Sequence, residues 1–318
     1  MPAYAADLSA VRAVAARTAE YVHRTPVITC ATLDRLAGCR LFFKCENLQK
    51  VGAFKFRGAC NAVMHLPDAV AARGVVTHSS GNHAQALALA ARLRGLTAHI
   101  VMPRDASPVK RRAVEDYGGR VVPCAPTLAD RETTAAAVVA DTGATMIPPY
   151  DHPDIIAGQG TVALELLEQV PALDVLVAPV GGGGLISGIC VAAKGLAPSI
   201  RVVAAEPSGA DDAARSKAAG RLLPQLAPNT IADGLRTSLG ELTWPIIRDH
   251  VDRVITVSDA ETVRALRLFW ERAKLIIEPS AAVAVAAVLS DTFNRGVAAR
   301  RVGVVLSGGN VDLDSLPW

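Results

Sequence analysis

A short β-branched run, a turn signal, and then an Ala- and Leu-rich stretch with helical period recur as one unit along most of the chain, and no other feature restricts the fold as much. Candidate strands are Val75 to His78, Ala98 to Met102, Arg120 to Pro123, Thr145 to Ile147, Val175 to Pro179, Arg201 to Ala205, Arg253 to Val257 and Val302 to Leu306. Most are followed by a helix candidate: Ala84 to Leu93, Val109 to Tyr117, Leu128 to Asp141, Ile156 to Glu168, Leu185 to Leu196, Ala260 to Lys274 and Ala281 to Leu289. Such alternation builds mainly parallel sheets with helices on both faces, an α/β fold whose ligands sit at the carboxyl ends of the strands. No internal repeat, low-complexity tract or Ser/Gly linker divides the chain. The pattern itself suggests residues 69–149 as a small domain, and residues 1–68 with 150–318 as a large one.

Charge narrows the partners. Against 30 acidic side chains stand 33 basic ones, a formal net charge of +3, and the Lys and Arg residues are scattered. That balance excludes a dedicated nucleic-acid or anionic-membrane binder and leaves a small molecule as the expected partner. The longest apolar runs, such as Ala281 to Leu289, are about half of the roughly 20 residues that cross a bilayer as a helix. Asp7 and Glu20 fall within an amphipathic N-terminal pattern with no leader or transit signature, so a cytosolic chain is expected. The six cysteines show no C-x-x-C pairing or regular spacing and are expected to be reduced and chemically idle. No histidines pair at i, i+3 or i+4, so no histidine metal centre is expected.

Two strand-to-helix turns stand out. Ser79-Ser80-Gly81-Asn82-His83 follows the strand ending at His78, and Gly181-Gly182-Gly183-Gly184 follows the strand ending at Pro179. Glycines there let a backbone approach an anion closely, and free N–H groups at a helix entrance favour a phosphate or carboxylate. The plainer alternative is that Ser and Asn cap a helix and the glycines make a tight turn. A dinucleotide site with Glu206 as its ribose acid fails in detail. The sixth place of G-x-G-x-x-G is Ile186 counted from Gly181 and Ser187 counted from Gly182, while Leu185 blocks the pattern from Gly183. With no Lys-Ser or Lys-Thr following, it is not a P-loop either; four adjacent glycines suit a cup around one terminal phosphate. The third feature is Lys55 between Phe54 and Phe56, with Arg57 two residues on. Most lysines are solvated surface charges, but apolar flanks suggest a desolvated, nucleophilic amine able to form a Schiff base. A nucleophilic lysine with a phosphate cup asks for a cofactor bearing an aldehyde and a phosphate, and pyridoxal 5′-phosphate has both.

These residues resemble the fold type II pyridoxal-phosphate enzymes, the tryptophan synthase β-like group, and within it the threonine dehydratase and serine racemase family. The likeness runs nearly end to end: K-C-E-N-L-Q-K-V-G-A-F-K-F-R-G-A (44–59), T-H-S-S-G-N-H-A-Q-A (77–86), I-A-G-Q-G-T (156–161), P-V-G-G-G-G-L-I-S-G (179–188), T-I-A-D-G-L (230–235), W-E-R-A-K-L-I-I-E-P (270–279) and S-G-G-N-V-D (307–312).

The resemblance implies two domains, each with a mainly parallel sheet flanked by helices. It implies that Lys55, beside Phe54, carries the cofactor covalently and acts as general base. It further implies that Asn82 bonds the pyridoxal 3′-oxygen, that Gly181, Gly182, Gly183, Gly184 and Leu185 hold the phosphate, and that Ser307 faces the pyridine nitrogen. Ser80 falls where serine racemases place the acid/base of the opposite substrate face, and Ser79, Ser80, Gly81, Asn82 and His83 would grip the substrate carboxylate. Relatives carry a divalent-cation site matching Glu206, the Ala210 carbonyl and Asp212, and oxygen ligands suit Mg²⁺ or Ca²⁺. A homodimer is implied as well. Asp233, Arg236 and Glu278 read as structural or inter-domain residues.

Some segments depart from a single pattern. Ala53 stands where many relatives have Ser, and Pro149-Tyr150-Asp151-His152-Pro153 leans toward threonine and hydroxyaspartate dehydratases. Trp244 to Asp249 and the segment from Glu206 to Asp212 lean toward serine racemase. After Asp312 nothing corresponds to the regulatory domain of biosynthetic threonine dehydratases, so isoleucine feedback is not expected. The expected activity is an ammonia-lyase reaction on L-serine or L-threonine, giving a 2-oxo acid and ammonia, with serine racemase as a side activity. The rivals are a threo-3-hydroxyaspartate dehydratase and, in another class, a non-catalytic nucleotide or amino-acid binding protein.

Overall fold

The computed structural model describes residues 4–318 and contains two sheets. The larger runs β1-β2-β10-β7-β8-β9, with β1 (Val27–Ile28), β2 (Arg40–Cys45), β7 (Val175–Pro179), β8 (Arg201–Pro207), β9 (Arg253–Val257) and β10 (Arg301–Leu306). Only the β1–β2 pair is antiparallel; β2, β10, β7, β8 and β9 are mutually parallel. The smaller sheet runs β5-β4-β3-β6, all parallel, from β3 (Val75–His78), β4 (Ala98–Pro103), β5 (Arg120–Cys124) and β6 (Thr145–Met146).

Both faces of the larger sheet are apolar, so its strands read as unbroken hydrophobic runs whose alternate residues feed different cores. Phe42, Leu176, Ala178, Val202 and Val305 pack under α1 (Leu8–Thr18), α8 (Pro153–Gln169), α9 (Gly184–Leu196) and α11 (Thr243–His250). Leu41, Phe43, Val175, Val177, Val203 and Val304 pack under α2 (Ala31–Ala37), α12 (Asp259–Ala273), α13 (Pro279–Val288) and α14 (Asp291–Gly296). Helix α13 carries no polar side chain beyond Ser280 and is buried all round, as an all-apolar helix must be. The smaller sheet lies between α7 (Leu128–Thr142) on one face and α5 (Asn82–Leu93) with α6 (Pro108–Asp116) on the other. Helix α3 (Lys55–His65) joins the two bodies: Phe56, Cys60 and Val63 enter the core beneath α5, while the helix also packs against α8. The short α4 (Asp68–Ala71) leads from α3 into β3, and α10 (Asp212–Ala219) follows β8.

The alternation past residue 68 stands as predicted, with shifted ends. β6 stops at Met146, one residue short of the expected Ile147, and α5 starts at Asn82, two residues before the expected Ala84, because Gly81 is its N-cap. Among the described residues no helix is long and apolar enough to cross a membrane, and the six cysteines are free, four of them buried.

Candidate active site

The carboxyl ends of β3, β7 and β10 lead into the segments singled out in the sequence. Lys55 is the first residue of α3, placed there by two contacts from the end of β10: Phe54 N–H donates to the Ser307 carbonyl at 3.0 Å, and Ala53 forms a β-bridge with Gly308. The Lys55 ammonium donates to the Pro149 carbonyl at 2.6 Å and lies 5.2 Å from the Phe54 ring centre. Burial pushes its pKa down to about 8, against the opposing pull of the Glu278 carboxylate. The lowered pKa enlarges the unprotonated share of this amine, the form that attacks an aldehyde or accepts a proton.

The tetraglycine bend is crowded on its outer side. A Cβ on Gly182 would fall 2.4 Å from the Tyr150 ring, one on Gly181 2.9 Å from Leu235 Cα, and Gly183 adopts φ +90°, where only glycine is unstrained. Thr243 Oγ1 donates to the Gly182 carbonyl at 2.9 Å, fixing the bend from behind. The bend opens α9 with no side-chain cap, so the N–H groups of its first turn keep no partner in the helix and point out of it. Those groups, the bend and the helix dipole make an anion cup.

One short segment ties the cup to the lysine. Pro149 accepts from Lys55, Tyr150 lies against Gly182 and Gly184, and the Asp151 carboxylate accepts the N–H groups of Glu241, Leu242 and Thr243 at the start of α11. The amine and the cup are thus both in contact with one short segment, although 126 positions separate Lys55 from Gly181 in sequence.

The Ser79–His83 segment enters α5 without a side-chain cap, and Gly81 has open space where a Cβ would stand. Ser79 Oγ accepts the Gly81 N–H at 3.4 Å, and Ser80 is half-buried. His83 turns inward instead. Its Nε2 sits 3.0 Å from the Ile147 carbonyl, its Nδ1 has no partner among the described residues, and burial next to Lys55 pushes it down to about 3. The His83 ring is therefore neutral and is enclosed rather than presented to a ligand; what that residue offers the helix entrance is its backbone.

Glu278, read from the sequence as structural or inter-domain, bonds to the entrance of α5. Asn82 Nδ2 donates to both its carboxylate oxygens at 3.0 and 3.1 Å, Asn310 N–H donates at 3.2 Å, and Asn310 Nδ2 donates to Asn82 Oδ1 at 2.9 Å. Burial lifts Glu278 to about 7, only partly countered by Asn82. The one available signal was an acid at the entrance of an all-apolar helix, which must itself be buried.

Glu206 and Asp212 lie elsewhere, the first near the end of β8 and the second at the start of α10. Both are buried; Glu206 accepts the N–H groups of Ala213 and Ala214 at 2.8 and 2.9 Å, and Asp212 Oδ2 accepts the Leu239 N–H at 2.8 Å. Asp212 Oδ1 has no partner among the described residues, and neither acid has a basic side chain bonded to it. Burial lifts Glu206 to about 8 and Asp212 to about 6.

The structure thus offers a desolvated amine, a glycine bend at a helix entrance and a second helix entrance without a side-chain cap. A family model described as pyridoxal-phosphate dependent enzyme matches residues 18–308. A serine racemase of Arabidopsis thaliana is 53% identical over 98% of this chain and 96% of its own. A beta-hydroxyaspartate dehydratase of Paracoccus denitrificans is 52% identical over 95% of each. The solved structure of maize serine racemase superposes with a TM-score of 0.97 at 52% identity, covering 98% of this chain and 95% of that one. With a lysine amine, an anion cup and a likeness that spans nearly its whole length, this chain belongs to the pyridoxal-phosphate-dependent enzymes.

Proposed function

We propose that this chain is an ammonia-lyase for small β-hydroxy amino acids, L-serine and L-threonine, releasing a 2-oxo acid and ammonia, with serine racemase activity at the same site. The observation that carries the reading is the Pro149–Tyr150 segment, which holds a desolvated lysine amine and a glycine cup on one wall.

Pyridoxal phosphate, bound there, supplies an aldehyde for amines and an electron sink for charge developing at a substrate Cα. Lys55 would bond it covalently and, once displaced by the substrate amine, take the Cα proton; its lowered pKa suits a base near neutral pH. The N–H groups of Gly181, Gly182, Gly183, Gly184 and Leu185 would hold the phosphate. Phe54 flanks the anchor, Asn82 would face the ring oxygen, and Ser307 would face the ring nitrogen. A neutral hydroxyl at that nitrogen cannot keep it permanently protonated, which favours β-elimination over transamination. The entrance of α5, from Ser79 through Ser80, Gly81, Asn82 and His83, would receive the substrate carboxylate, and Ser80 would exchange the proton on the face opposite Lys55.

A threo-3-hydroxyaspartate dehydratase is the second reading, favoured by the identity to the Paracoccus enzyme. Assays for 2-oxo acid with serine, threonine and 3-hydroxyaspartate, with chiral analysis of recovered serine, decide between them. Turnover of serine or threonine with some D-serine is expected; turnover of none of the three would overturn the substrate class. Ser80→Ala is expected to abolish racemisation while sparing elimination from the L-isomer.

A divalent cation, Mg²⁺ or Ca²⁺, is proposed at Glu206, the Ala210 carbonyl and Asp212. Two buried carboxylates without a basic partner, one with an orphan oxygen, fit an oxygen-ligated ion. Among the described residues no cluster of three His, Cys, Asp or Glu side chains exists, so backbone oxygen and water would complete the shell. A homodimer in a cytosolic setting is also proposed, on family likeness and on exposed Leu48 and Ile276, neighbours through the 2.9 Å bond from Asn47 to the Ile276 carbonyl.

A further inference from the structure

Parts of two sequence motifs have no role in the chemistry above: Lys44, Glu46 and Arg57 around the anchor lysine, and the glycines of I-A-G-Q-G-T, Gly158 and Gly160. The fold brings both to α8. Helix α3, which begins at Lys55, and helix α9, which begins at Gly184 of the cup, each cross α8 through a contact that has no room for a methyl group. At the first crossing a Cβ on Gly158 would lie 2.5 Å from Gly58 Cα, and Gly58 N–H donates to the Gln159 side chain at 3.3 Å. At the second, a Cβ on Gly188 would lie 2.4 Å from the Ile156 carbonyl oxygen and 2.5 Å from Gly160 N. Backbone touches backbone in both places, within two turns of α8.

A buried charge cluster then locks the first crossing. The Arg57 guanidinium, 1% exposed, grips the Glu46 carboxylate through Nε and Nη2 at 2.7 and 2.9 Å. It also grips the Glu165 carboxylate of α8 through Nη1 and Nη2 at 2.7 and 2.9 Å, and reaches Thr161 Oγ1 at 3.2 Å. Lys44 donates to Glu165 at 2.6 Å, to the Thr25 carbonyl at 2.8 Å and to Gln169 at 2.9 Å. The two cations balance the two anions. A guanidinium holding two carboxylates in two-point contact fixes angle as well as distance, which a point charge does not.

We propose that α8 is the spacer that sets Lys55 at its working distance from the tetraglycine cup, with Gly158 and Arg57 as positioning residues on the lysine side and Gly188 on the cup side. The inference rests on Lys55 being the cofactor anchor and goes beyond it by assigning what holds the anchor in register. Carbon atoms settle at about 3.5–4.0 Å, so Gly158→Ala must push α3 about 1 Å off α8 and carry Lys55 with it. The cup, on the other crossing, stays where it is.

The test titrates the cofactor-free protein with pyridoxal 5′-phosphate and with pyridoxamine 5′-phosphate, which has the same ring and phosphate but no aldehyde for a lysine to attack. Gly158→Ala is expected to weaken pyridoxal phosphate about tenfold or more and pyridoxamine phosphate less than about threefold. Arg57→Lys, which keeps the charge but not the two-point grip, is expected to repeat that pattern, and it carries the test alone should Gly158→Ala fail to fold. Gly188→Ala is expected to weaken both ligands together, because it moves the cup. Equal changes for the two ligands in Gly158→Ala and Arg57→Lys, or no change in either, would overturn the proposal. Lys55→Ala separates the underlying reading: a variant that still preferred the aldehyde ligand would show that Lys55 is not the anchor, whatever α8 does.

Discussion

Two buried acidic sites in this molecule are built on opposite terms. Around Arg57, Glu46 and Glu165 meet two cations from the same chain; burial works against ionisation of Glu165, yet the bonds from Arg57 and Lys44 outweigh it and hold that carboxyl below its usual value. Between the end of β8 and the start of α10, Glu206 and Asp212 meet only backbone N–H groups, and burial leaves both well above their usual values. The first site is balanced within the chain and leaves an ion from solution nothing to neutralise. The second is unbalanced by the chain itself, the condition under which a cation from solution has something to gain.

The largest expected effect removes the centre of the balanced site. Arg57→Met leaves two buried carboxylates with Lys44 alone, and denaturant unfolding should show a loss of about 3–5 kcal/mol. Asp212→Asn at the other site, measured without added cation, should cost under about 1 kcal/mol, because the amide oxygen can still accept from Leu239 and the side chain keeps its shape. Similar costs at the two sites would erase the distinction.

Next in size is the cation itself. Mg²⁺ at about a hundred times its dissociation constant should stabilise the wild-type chain by about 2.7 kcal/mol, read as a rise in thermal midpoint. Asp212→Asn should lose this rise, while Glu165→Gln, though weaker overall, should keep it. A rise of equal size in both variants would place the ion elsewhere.

A smaller effect separates two buried lysines. All three donors of Lys44 are taken, whereas Lys55 holds a single carbonyl. Capture of pyridoxal phosphate by the cofactor-free protein should therefore trap Lys55 and spare Lys44 on borohydride reduction. The sign follows from the lowered pKa: the amine becomes nucleophilic as it loses its proton, so the capture rate should climb as pH rises through about 8 and level off above it. A rate still climbing near pH 10 would mean that Lys55 keeps an ordinary, solvated pKa.

The βα frame was legible because strands buried on both faces leave continuous apolar runs such as Val175 to Pro179, which a glycine-rich turn closes. β2 was not, since Lys44 interrupts Leu41-Phe42-Phe43 and a buried lysine looks like an exposed one until Glu165 is brought to it from about 121 positions away. Lys55 and the four glycines announced themselves by their neighbours in sequence. Glu278, Gly158 and Arg57 act through partners that only folding supplies, Asn82 for the first, Gly58 for the second and Glu165 for the third. Local pattern exposes residues whose role lies in their own turn and hides those whose role lies in a crossing.

Distance alone cannot distinguish a strong ion pair from a weak one, and two lysines show it. Lys44–Glu165 and Lys110–Asp233 both have N···O separations of 2.6 Å, but the Lys44 side chain is fully buried while that of Lys110 is 41% exposed and its partner 50%. Water screens the exposed pair and competes for both ends, so Lys110→Ala should cost at most about 1 kcal/mol and nearly nothing in about 1 M salt. Lys44→Ala strands part of the Glu165 carboxylate in the interior, where salt does not reach, and its larger cost should persist at high ionic strength. If the two variants lost the same stability and responded alike to salt, the balance around Arg57 would be no more than a surface arrangement that happens to be covered, and burial would not be what separates these pairs.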